Sequence, residues 1–187
     1  DLLPLALALK SHLPADLRAG GSVGGSAHIA LRRGEAMPTG SADFRFSRME
    51  LRSGATSLQV SAARLQWDGR RLQVPAAAAS LRSGGGSTPV ELGAALDRRG
   101  FELTFSSPAL DSGAAAGLAH LLGVSSPWPA AIRGEARAAF RLASSWPQLR
   151  NTQWSGTARF SEASFDPPGG SGRRLTLRPL VVSVGEP

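Results

Sequence analysis

The chain has 187 residues, 42% of them hydrophobic but only 6% aromatic, with no cysteine and a formal net charge of +7. That length holds one domain or two small ones, and the absence of cysteine excludes disulfides and thiolate metal sites. Nearly all the positive charge is arginine, with Lys10 the single lysine. It is scattered rather than interleaved with stacking aromatics, which argues against a nucleic-acid surface.

The chain opens with an apolar run, "DLLPLALALKSHL", far short of the ~20 residues a membrane-spanning helix needs. Asp1 can cap a short helix here, and Pro14 turns the chain into extended structure. "SAHIALR" then alternates with the period of a half-buried strand, Ala27, Ile29 and Leu31 on one side and Ser26, His28 and Arg32 on the other. "ADFRFS" does the same with Ala42, Phe44 and Phe46, after which the apolar parity slips to Met49 and Leu51. The slip predicts a bulge or tight bend at Ser47. In "LQWDGRRLQV", Asp68-Gly69 carries the signature of a type I′ turn. "VELGAALDRRGFELTF" predicts a hairpin turning at "DRRG", and "SGGGSTP" (83–89) reads as a mobile loop.

From Asp111 a second apolar run, "DSGAAAGLAHLLGVSSPW", predicts a helix capped by Asp111 and ended at Gly123. "PAAIRGEA" follows from Pro129, echoing "PADLRAGG" from Pro14 at a distance of 115 residues (129 − 14). "EARAAFRL" presents Ala136, Ala138, Phe140 and Leu142 on one face. "GTARFSEASF" from Gly156 matches "GSADFRFSRMEL" from Gly40, slipping at Ser161 from Phe160 to Ala163 and Phe165. "GRRLTLRPLVV" matches "GRRLQVPAAAA", and "DPPGGSG" (166–172) reads as a second mobile loop. The order of these matches predicts an internal repeat: residues 1–110 as a first helix-plus-meander unit and 111–187 as a second, truncated one. The expected fold is mainly β, an antiparallel meander forming a curved sheet or open β-groove with one short α-helix per unit. The chain reads as a piece of a longer protein, any anchor or targeting segment lying outside it.

Candidate chemistry is thin. His12, His28 and His120 stand at no metal-ligand spacing and read as solvated or capping histidines. The serines of "GGSVGGS" and "SGGGS" lack the context of a nucleophile elbow, and "SGGGST" lacks the lysine of a phosphate-binding loop. Asp43, Glu50, Asp97 and Glu102 alternate beside Arg45, Arg52 and Arg98, as cross-strand charge pairs do. The reading is therefore non-enzymatic, with no catalytic residue, no metal and no cofactor.

The informative feature is the apolar face. Two short helices cannot cover so many strands, so a curled sheet would leave a trough floored by small and apolar side chains, which acyl chains suit at about 0.8 kcal/mol per buried methylene. The expected lining is Ala27, Ile29, Leu31, Phe44, Phe46, Leu58, Val60, Leu65, Trp67, Leu92, Phe101, Leu103, Phe105, Phe140, Leu142, Phe160 and Phe165. An ordinary sandwich or barrel accounts for the same pattern equally well.

The recurring unit, "LPADLRAGGSVGGSAHIALRRG" then "PTGSADFRFSRMEL", with "WPAAIRGEARAAFRLASSWPQL" and "SGTARFSEASF" in the second copy, resembles the AsmA-like family of Gram-negative envelope proteins and the TamB-like proteins related to it in design. The resemblance implies a long β-groove that performs bridge-like transfer of phospholipids between inner and outer membrane, in the periplasm. The groove would be anchored to the inner membrane by a segment outside this chain, and its partners would be phospholipid acyl chains, with no nucleic acid. A scaffold assisting outer-membrane protein assembly through its sheet edge or apolar face is the alternative, and a structural spacer is a third.

Overall fold

The computed structural model describes residues 14–30, 39–123, 132–145, 153–165 and 175–185. The chain enters through a turn in which the Leu17 N–H donates to the Pro14 carbonyl (3.0 Å). Six long strands follow: β1 (Arg18–Ala30), β2 (Thr39–Ser53), β3 (Thr56–Trp67), β4 (Leu72–Ser83), β5 (Gly86–Leu96) and β6 (Gly100–Leu110). Helix α1 (Ser112–Leu121) comes next, then β7 (Ile132–Arg133), β8 (Ala136–Ser145), β9 (Gln153–Phe160), β10 (Ala163–Phe165), β11 (Leu175–Leu177) and β12 (Leu180–Val184). The fold is mainly β, an open antiparallel meander. Among the described residues, nine strands form one sheet in the order β1-β2-β3-β4-β5-β6-β8-β9-β12, and β11-β10-β7 form a small second sheet. β6 pairs directly with β8, so the strands on either side of residue 110 belong to one sheet.

Turn chemistry sets the meander. The β2–β3 connection is a two-residue turn at Gly54-Ala55, with Gly54 at φ 55°. "SGGGSTP" is not a loop: β4 and β5 run into a two-residue turn whose Gly84 and Gly85 both have positive φ, as a primed hairpin turn requires. Asp68-Gly69 does not form the expected two-residue turn. Trp67 pairs with Leu72 across a four-residue loop in which Asp68 Oδ1 accepts the N–H groups of Arg70 and Arg71. The "DRRG" turn repeats this design, Asp97 Oδ1 accepting from Arg99 and Gly100. In each loop the two backbone amides hold the aspartate's carboxyl below its ordinary range.

The parity slip occurs where the sequence places it. Register between β1 and β2 shifts between Gly20 and Ser22, opposite Arg48, which adopts a left-handed φ of 54°. β3 keeps its register with β2 here, Met49 opposite Val60 and Phe46 opposite Ala63, so it slips in step. β4 slips at Pro75-Ala76, where its pairing with β5 shifts between Val74 and Ala77. Register shifts thus fall in the β1–β2 and β4–β5 pairings, and Phe44 and Phe46 remain on the face of Met49 and Leu51.

A glycine stands at a comparable place beside the later slip. A Cβ on Gly21 would meet Arg48 O and Met49 Cα, and a Cβ on Gly134 would meet Glu162 O and Ala163 Cα, the two glycines having φ 138° and 129°. Leu51, Phe46, Val60 and Ala63 hold the register positions that Phe165, Phe160, Leu177 and Leu180 hold in the later strands. There the slip breaks each strand in two: β7 from β8, β9 from β10, β11 from β12. This correspondence sets Gly21 against Gly134, 113 residues apart (134 − 21), and so places "PADLR" and "PAAIR" two residues out of step. It also separates the "GRRL" stretches: Leu72 begins β4, whereas Leu175 begins β11, which occupies the place of β3. The helix expected from Asp1, with His12, lies outside the described residues, as do Leu31 and 166–172.

The second helix is present as expected. Asp111 caps α1 by accepting from the Ala114 N–H (2.7 Å), and Gly123, at φ 66°, ends it with its N–H on His120 O (3.0 Å). Its buried side, Ala114, Ala115, Gly117, Leu118 and Leu121, packs on β2, β3 and β4 over Leu58 and Leu81.

Candidate functional site

Residues directly opposite each other in an antiparallel pair share a face. Following partners strand to strand therefore traces the candidate lining. Leu51, Leu58, Leu81 and Thr88 form one row across β2–β5. Leu92, Phe105, Phe140, Gly156 and Val184 form another across β5–β12. Ala27, Ala42, Trp67, Leu72, Leu96 and Phe101 form a third from β1 to β6. β5 alternates through Thr88, Val90, Leu92, Ala94 and Leu96, which ties the rows to a single face. All the described candidates on the large sheet, Ile29 and Phe160 included, share it. Phe165 is the exception, pairing with Ile132 and Leu175 in the small sheet.

The face has two zones. Around α1 it is a packed core: Leu58, Val60, Phe105, Phe140, Leu142 and Phe160 are buried, so these expected lining residues are filled in rather than open. Phe140 also meets Trp154 edge-on, ring centroids 6.2 Å apart. Toward the "DGRR" and "DRRG" end, Phe44, Phe46, Leu65, Trp67, Leu92, Phe101 and Leu103 are half-buried, and Ala27 and Ile29 are exposed. Sequence reading missed two central core members: Leu81, which is fully buried, and Leu110. Leu81 sits where Pro75-Ala76 shifts the parity of β4, so plain alternation from Leu72 and Val74 loses it.

The opposite face is polar. Asp43 accepts from Arg64 through both carboxylate oxygens, and Glu102 accepts from Arg141 at 2.9 Å. Each arginine holds its partner's carboxyl below the ordinary range. Glu162 and Arg178 pair across the later slip. Asp43 and Glu102 thus do form cross-strand pairs, but with Arg64 and Arg141 rather than with Arg45, Arg52 or Arg98, while Asp97 accepts turn amides instead. Such solvated pairs are modest in worth.

One polar cluster was not legible in the sequence. Ser53, only 1% exposed at the tip of β2, donates its hydroxyl proton to Asp16 Oδ1 (2.6 Å), and Asp16 Oδ2 accepts the Gly54 N–H (2.8 Å). His120 Nε2 lies 3.0 Å from Ser53 Oγ. Since the serine's one proton is given to Asp16, the imidazole must donate. It is thus not placed to act as the serine's base. The cluster ties the entry turn, the β2–β3 hairpin and α1 together. Among the described residues no three His, Asp or Glu side chains gather as a metal site, and no helix is long and apolar enough to cross a membrane.

Comparison with protein-family models, with curated proteins and with solved structures finds no match.

Proposed function

We propose that this chain is a non-enzymatic segment of a lipid conduit, its apolar face receiving phospholipid acyl chains while its polar face meets water. The observation that carries the reading is that, among the described residues, that face is incompletely covered. α1 closes it over β2–β4, yet Phe44, Phe46, Leu65, Trp67, Phe101 and Leu103 continue the same face half-exposed. A run of large apolar side chains on one side of an open sheet marks a binding surface for something apolar. Apolar contact without directional hydrogen-bond donors suits methylene chains, which offer none in return. On this reading the slipped ladder is the unit from which a longer groove is built, and the sequence resemblance to the AsmA-like family supports a periplasmic location between two membranes. Native mass spectrometry of protein purified from cells tests the proposal. Co-purified phospholipid is expected. Bound peptide without lipid would overturn it in favour of the scaffold, and an empty protein would overturn it in favour of a spacer.

A further inference from the structure

β1 lies at the margin of the large sheet, and no described strand pairs with its outer side. All thirteen of its residues are exposed, Val23 and Ile29 each by 61%. The recurrence of the slipped ladder shows what such a strand looks like when covered. With Gly21 at the position of Gly134, Val23, Gly25, Ala27 and Ile29 hold the positions of Ala136, Ala138, Phe140 and Leu142 on β8. Those four are buried to 5% exposure or less, and the outer edge of β8 is occupied by β6. The two strands share their inner pairing and differ in having an outer neighbour. Among the described residues, β1 has no strand in the place of β6.

We propose that the outer edge of β1, over Val23–Ile29, is a docking site for a separate extended polypeptide strand of the β6 pattern. The strand runs antiparallel, with bulky apolar residues at alternate positions and small polar ones between. Its register follows from β6 on β8, where Phe105, Ser106 and Ser107 stand opposite Phe140, Ala139 and Ala138. The incoming strand therefore sets its Phe105-like residue against Ala27, its Ser106-like residue against Ser26 and its Ser107-like residue against Gly25. Main-chain hydrogen bonds supply the attachment, and the apolar side chains extend the rows that now end at Val23 and Ile29. This proposal does not rest on lipid occupancy.

The chain has no cysteine, so one introduced at exposed Ser26 is unique. Opposed residues of an antiparallel pair bring their Cα atoms to ~4.5–5.5 Å, within disulfide reach. The probe is a synthetic peptide of Gly100–Leu110, GFELTFSSPAL, carrying Ser106→Cys. A second peptide carries Glu102→Cys instead, and a third has the order scrambled. The expected result is cross-linking of Ser26→Cys protein to the Ser106→Cys peptide, at least about tenfold faster than to either control. Slowed hydrogen exchange over Val23–Ile29 in the unsubstituted protein should accompany it. Equal cross-linking of all three peptides, protection appearing on β8 instead, or Ser26→Cys protein linking to its own copy in place of the peptide would each overturn the proposal.

Discussion

Asp16 accepts from a buried hydroxyl and a backbone amide at once. The Ser53 hydroxyl first, and then the Gly54 N–H, holds the Asp16 carboxyl below its ordinary value. A carboxyl whose folded value is depressed contributes stability that is complete above its unfolded value, near pH 4, and is lost as pH falls through the folded value. Asp16→Ala should therefore lower the urea midpoint at pH 7, and its gap from the unsubstituted protein should narrow as pH falls toward about 2. A gap that stays constant with pH would show that the charge contributes nothing. Glycine carries a different constraint at this scale. Gly117 lies on the buried side of α1, where a Cβ would come within 2.8 Å of Ser83 Oγ and 3.0 Å of Thr56 Cγ2. Gly117→Val should lower stability by about 1–3 kcal/mol, and Ser83→Ala should recover part of that loss by removing the nearer obstacle. Chemical denaturation of the two single variants and the double variant measures both effects.

Among the elements, α1 is the one whose loss would uncover the core. Its own length is marginal for an isolated helix, so tertiary packing and its cap hold it. Asp111→Ala should cost about 1 kcal/mol through the lost N-cap bond to Ala114. Leu118→Ala, 3% exposed under the helix, should cost about 2–5 kcal/mol. Thermal unfolding of both variants ranks them, and the reverse order would mean that capping, not packing, fixes the helix. These features were legible before the structure, because a cap, a C-terminal glycine and a period are local signals. The slips at Ser47 and Ser161 were legible for the same reason, as a break in alternation within a few residues. What escaped the sequence was non-local. The pairing of Asp16 with Ser53 spans a whole hairpin, and Leu81 returns to the core only through a shift in β4. The glycine register that sets Gly21 against Gly134 is two residues from the one that the repeated Pro-Ala dipeptides suggest. Turn length was misjudged where side-chain acceptance, not backbone handedness, decides it: Asp68 builds a four-residue loop around its own carboxylate.

At the scale of the whole molecule, one sheet face has two zones, a packed one under α1 and a half-buried one beyond it. Phe140 and Phe46 sit in different zones, so they are not interchangeable probes. Phe140 is a core residue, and Phe140→Asp buries an unpaired charge and should destabilise by several kcal/mol, with or without lipid. Phe46 is half-buried opposite Ala63 and Val23, in the zone proposed to hold acyl chains. The most direct measurement is therefore thermal unfolding of Phe46→Asp together with the phospholipid it retains on purification. The expected result is a melting temperature close to that of the unsubstituted protein with the bound lipid lost, because a carboxylate in the trough is solvated by water but not by hydrocarbon. A collapse in stability, in a protein whose unsubstituted form carries no lipid, would make this zone a closed core and contradict the conduit.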